Sequence, residues 1–129
     1  MARRLSGVAL LRWLPALGWM GWIFWLSSQQ ALPPPPGLSY TLAAIGGHFA
    51  LYLVLTLLLL VAVGAPRRGY APALLAALLI AIGYALSDEF HQAFVPGRDA
   101  ALFDLLVDGV GIAFGLLVWV FGWRSFATH

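Results

Sequence analysis

The sequence predicts an all-α integral membrane protein, a bundle of four spanning helices with both termini on the cytoplasmic face. Three observations carry that reading. Hydrophobic residues make up 62% of the chain and charged residues 9%, where a soluble domain carries about a quarter charged residues. The apolar residues fall into four long runs without strict alternation, which favours helices over a closed barrel, the two backbones able to satisfy themselves in lipid. The arginines flank those runs instead of interrupting them, with one exception. At 129 residues this is a single domain.

The composition also excludes classes. With no cysteine there is no disulfide framework, haem-attachment motif or thiolate metal site. All seven basic residues are Arg, and they are dispersed at the ends of apolar runs. No nucleic-acid partner is expected from such a pattern.

The first span is read as about 8–28. It follows the basic start Arg3-Arg4 and contains Arg12, the exception, whose long side chain can snorkel to the near interface. A secretory signal peptide also starts basic and turns apolar. Arg12, four Trp residues in the run and the lack of a small-x-small cleavage site argue for a span instead. Ser27-Ser28-Gln29-Gln30 ends the run. The segment Leu32-Pro33-Pro34-Pro35-Pro36-Gly37 has too few backbone donors for a helix and reads as a stiff connector.

The second span is read as about 40–63, with Gly46-Gly47-His48 near its start and an almost purely aliphatic second half. Gly64-Ala65-Pro66-Arg67-Arg68-Gly69 breaks it in a short basic turn. The third span, about 72–92, starts at Pro72, a residue favoured in a first helical turn. Val95-Pro96-Gly97-Arg98 marks a turn, and the fourth span covers about 101–123 before Arg124.

Four spans put Arg3, Arg4, Arg12, Arg67, Arg68 and Arg124 on one side, which the positive-inside rule makes cytoplasmic. The proline loop and the 93–100 loop then face outward. That places Ser27 and Ser28, His48, residues 87–92, and Asp104 with Asp108 toward one outer end.

All five acidic residues lie between 88 and 108. Ionisable groups at membrane depth are costly and are usually retained for function. Ser87 and His91, and likewise Asp104 and Asp108, are four apart and so share a helix face. Gly111 and Gly115 continue the Asp104–Asp108 face as a stripe that admits close helix packing. Span four is therefore expected to turn Asp104 and Asp108 inward and to pack that face on span three. Each residue has a structural role open to it as well. Arg98 can simply neutralise carboxylates, His48 can be a packed histidine, and Asp104 can complement a helix N-terminus.

Several blocks resemble one family. They are Phe24-Trp25-Leu26-Ser27-Ser28-Gln29 before the prolines, His48-Phe49-x-x-Tyr52-x-x-Leu55, Ser87-Asp88-Glu89-Phe90-His91-Gln92-x-Phe94-x-Pro96-Gly97-Arg98, and Asp104-x-x-x-Asp108-x-x-Gly111-x-x-x-Gly115. Together these are similar to the VanZ-like membrane proteins over nearly the whole chain. The family is named for a member associated with low-level resistance to glycopeptide antibiotics. The resemblance implies a small bacterial inner-membrane protein with matching polar residues Glu89, His91, Gln92, Arg98, Asp104 and His48. The family pattern commonly has Asp-Lys four and three residues before the histidine. Here those positions are Ala44 and Ile45.

These readings give a first functional expectation: an outer-leaflet site that binds or processes an anionic lipid or a lipid-linked envelope precursor. The candidate catalytic residues are Glu89, His91, His48 and Asp104. The candidate substrate-binding residues are Arg98, Gln92, Asp108 and Ser28. No cofactor and no metal ligand set is assigned, since no His-x-x-x-His or similar spacing supports a metal-dependent hydrolase. The alternative is a non-enzymatic partner subunit or small transporter component whose polar cluster locks the helices. Four short helices leave little room for a conduction path, so transport would need an oligomer.

Overall fold

Pro15 shapes the first helix. A proline inside a helix has no N–H to give and its ring clashes with the carbonyl four residues earlier, here that of Leu11. The computed structural model, which describes residues 7–30, 33–65 and 71–122, accordingly breaks the first span. Helix α1 (Gly7–Leu11) ends there, Arg12 forms a turn, and α2 (Trp13–Ser28) continues. One span over about 8–28 was the expectation; Gly7–Ser28 remains one candidate span, since Arg12 keeps helical backbone angles across the interruption. Three further helices follow: α3 (Tyr40–Ala62), α4 (Ala71–Gln92) and α5 (Leu102–Gly122). The expected spans were 40–63, 72–92 and 101–123. Leu32, the turn residues Pro66 to Gly69, Trp123, and the flanking Arg3, Arg4 and Arg124 lie outside the described residues.

The four candidate spans, Gly7–Ser28 and the three later helices, are 21 to 23 residues long, and each holds an apolar stretch of spanning length. At 1.5 Å per residue they reach about 31 to 35 Å, enough for a hydrocarbon layer of about 30 Å. The protein is thus an all-helical membrane protein with four helices able to span.

Local chemistry fixes the helix ends on one side of the bundle. Ser39 caps α3, its hydroxyl accepting from the Leu42 N–H at 3.2 Å. Two Pro-Gly turns lie on this same side. Leu38 N donates to Pro35 O at 3.1 Å across Pro36-Gly37, and Arg98 N donates to Val95 O at 3.2 Å across Pro96-Gly97. In both, the glycine has positive φ, +82° and +78°, as the third position of a type II turn demands.

Packing decides which face of each helix is interior. The interior stripe of α4 is Ala77, Ala81, Ala85, Asp88 and Gln92, so small residues give way to polar ones on one continuous face. The interior stripe of α5 is Asp108, Gly111, Ile112 and Gly115. The expected partner of that stripe was span three. The structure corrects this: α5 packs chiefly on α3, the second span. The absent side chains are the reason. A Cβ on Gly111 would lie 2.5 Å from the Phe49 carbonyl oxygen, and one on Gly115 would lie 3.0 Å from Thr56 Cβ, so only glycine lets the two backbones meet.

Helix α2 is tied in by side-chain bonds to backbone carbonyls. Trp19 Nε1 donates to Leu51 O at 2.9 Å, and the Tyr84 hydroxyl donates to Met20 O. Ile23, Tyr52, Leu55, Leu59 and Ile112 are fully buried between the helices. Large apolar side chains such as Leu79, Phe90, Leu106 and Phe114 point outward, where lipid is their solvent.

Candidate functional site

The ends of α2 and α4 and the starts of α3 and α5 meet on one side of the bundle, and there the ionisable residues gather. His48, two turns into α3, is held between two carboxylates of α5. Its Nδ1 lies 2.8 Å from Asp108 Oδ1, and its Nε2 lies 3.7 Å from Asp104 Oδ2. Asp108 is 1% exposed, Asp104 23%. The four-residue spacing of the two aspartates spans the imidazole, one carboxylate on each ring nitrogen. With Asp108 as carboxylate, the shorter bond puts a proton on Nδ1 and fixes the ring. Asp108 is thus directed inward, away from lipid, as its place on the glycine stripe implied.

A second buried group lies beside it. The Tyr52 hydroxyl donates to Asp88 Oδ2 at 3.2 Å, and Gln92 Nε2 reaches the same oxygen at 3.5 Å. Asp88, Tyr52 and Gln92 are all buried. Asp88 Oδ1 has no hydrogen-bond partner among the described residues.

Arg98 bridges two elements. Its Nε donates to Gln29 O at 3.0 Å and its Nη2 to Leu26 O at 3.3 Å. Both carbonyls lie at the C-terminal end of α2, where Leu26 O also accepts the Gln29 N–H at 3.2 Å, and a cation there complements the helix dipole. The sequence left Arg98 free to neutralise carboxylates; instead it fastens the 93–100 loop to α2.

A cavity of about 500 Å3 opens among these groups, within the usual range for small-molecule sites. Its polar lining includes His48, Asp104, Arg98, Gln92 and Ser27, and Pro33 to Pro35 form one wall. Ala44, where the family pattern commonly has an acid, also lines it.

The candidates therefore divide. His48, Asp104, Arg98 and Gln92 share the cavity, and Asp108 stands behind His48. Three others are placed elsewhere. Glu89 accepts a hydrogen bond from the Ala101 N–H through Oε1, capping the start of α5 from a neighbouring helix. His91 stacks on Phe24, ring centroids 4.6 Å apart, with Nδ1 buried and unpartnered among the described residues. Ser28 donates to Phe24 O on its own helix at 2.7 Å.

Asp88 and Tyr52 were not assigned to the site from sequence. The signal that finds Asp88 is the alanine stripe of α4, whose next positions are Asp88 and Gln92, whereas Glu89 and His91 fall beside it. Among the described residues no group of three or more His, Asp or Glu side chains is placed to hold one metal ion. Around His48 the two carboxylates address opposite ring nitrogens and so diverge.

His48, Gln92, Arg98, Asp104 and Asp108 belong to the sequence blocks noted above. A model of the VanZ/LLP1 family matches residues 11–123. The chain belongs to the VanZ-like family. Searches of curated proteins and of solved structures found no match. In this VanZ-like chain the motif residues converge from four helices, and the match runs through all of them.

Proposed function

We propose that this VanZ-like protein binds the headgroup of a membrane lipid or lipid-linked envelope precursor at the outer end of its bundle. The observation that carries the reading is the cavity itself, which places Arg98, His48, Asp104 and Gln92 together at the ends of four spanning helices. His48 is eight residues into α3, about 12 Å from that helix end, the depth of a headgroup and the first atoms below it. Arg98 holds the anionic group of the ligand, its Nη1 taking no part in the bonds to α2. The His48–Asp108 pair is arranged as in a general acid–base, with the imidazole oriented from behind by a buried carboxylate. Processing of the bound ligand by proton transfer at Nε2 belongs to the same reading. So do an inner-membrane location in bacteria and an effect on glycopeptide susceptibility.

A specific observation favours a second reading. Glu89 and Arg98 are both used on helix ends, which suits a polar network that locks the bundle of a partner subunit or transporter component. Lipid mass spectrometry of the purified protein separates the two. Under the headgroup reading the wild type carries defined lipids that folded His48→Gln and Arg98→Gln variants lose. Identical lipid profiles in all three would defeat it.

A further inference from the structure

The charges lining the cavity are mixed, and their balance selects among headgroups. Arg98 supplies one guanidinium, two of whose nitrogens are occupied by Leu26 O and Gln29 O. Asp99 and Asp104 line the same cavity with two carboxylates. Asp104 reaches His48 only at 3.7 Å. Asp99 is exposed and forms no ion pair with a described residue. In either protonation state of His48, its pairing with the Asp108 carboxylate adds no net positive charge. A ligand that is purely anionic would bring further negative charge to a lining where carboxylates already outnumber guanidinium two to one.

We infer that the ligand carries a primary ammonium group beside its phosphate: the phosphate meets Arg98, and the ammonium meets Asp104 and Asp99. This rests on the headgroup reading above and names the substrate class of that same site. A primary ammonium offers three N–H donors to carboxylate oxygens. A trimethylammonium offers none and is held instead by aromatic cages. Among the described residues Tyr40 is the one Phe, Tyr or Trp side chain lining the cavity, and one ring does not make a cage. The chemistry is that of a phosphoethanolamine headgroup or of an amino-bearing lipid-linked phosphate.

The test titrates the full-length protein in detergent with phosphatidylethanolamine, phosphatidylcholine and phosphatidylglycerol, reading binding by native mass spectrometry. The expected result is phosphatidylethanolamine bound about tenfold tighter than either other lipid, the discrimination of one charged hydrogen bond. Asp104→Asn removes that preference. Asp99→Asn, on an exposed loop, weakens the preference even where the first variant does not fold. Competition by a polyprenyl phosphate that carries a free primary amine distinguishes a precursor from the phospholipid. Phosphatidylglycerol bound as tightly as phosphatidylethanolamine, or a preference unchanged in both variants, would overturn the ammonium assignment while leaving headgroup binding standing. Absence of binding to all of these lipids would overturn both.

Discussion

The Tyr52 hydroxyl donates to Asp88 Oδ2 at 3.2 Å and so links the middle of α3 to the end of α4. The other Asp88 oxygen is buried without a partner among the described residues. The carboxylate therefore depends on Tyr52 and on the longer contact from Gln92. Tyr52→Phe removes the donor and almost no volume. The expected loss is about 1–3 kcal/mol, the cost of leaving a buried acceptor unmet. Thermal unfolding in detergent measures it, and a double-mutant cycle with Asp88→Asn isolates the coupling. Equal stabilities for wild type and Tyr52→Phe would mean that the hydroxyl contributes nothing to this carboxylate.

The glycine stripe of α5 gives a graded prediction. Gly111→Ala sets a methyl 2.5 Å from a backbone oxygen of α3, Gly115→Ala sets one 3.0 Å from a side-chain carbon, and Gly109→Ala meets nothing within 4 Å. Overpacking costs about 1–3 kcal/mol or more. Stability is expected to fall most for Gly111→Ala, less for Gly115→Ala, and not at all for Gly109→Ala. A different order would show that α5 does not rest on α3 through this stripe.

Glu89 separates capping from chemistry. Its oxygen accepts the Ala101 N–H at the start of α5. A glutamine can accept the same bond, so Glu89→Gln is expected to keep near-wild-type stability and lipid binding. Glu89→Ala loses about 1 kcal/mol, as other lost helix caps do. Loss of ligand binding in a stable Glu89→Gln protein would show that the charge itself is needed.

Orientation is testable because the chain has no cysteine, so an introduced one is a unique label. Ala100, in the loop before α5, and Ala65, just after α3, lie at opposite ends of the bundle. A membrane-impermeant thiol reagent applied to intact cells is expected to label Ala100→Cys and spare Ala65→Cys. The reverse pattern would put the cavity on the cytoplasmic side and remove the outer-leaflet reading.

The amino-acid order alone determined the class, the four spans and the end of the bundle where ionisable groups collect. Those follow from the cost of placing charge and unpaired backbone in lipid, which is a property of composition along the chain. Pro15 was legible as a break by the same local rule, although the expected first span ran through it. The tertiary structure decided the partners. From spacing alone, Asp104 and Asp108 shared a face, but only the approach of α5 to α3 through Gly111 and Gly115 set His48 between them. Likewise Asp88 and Glu89 are neighbours of similar chemistry in sequence. The rotation of α4 about its axis, fixed by packing its alanine stripe inward, buried Asp88 against Tyr52 and sent Glu89 to cap α5. A turn of about 100° per residue separates those two fates, and that angle is referred to neighbouring helices, which no local reading of one helix contains.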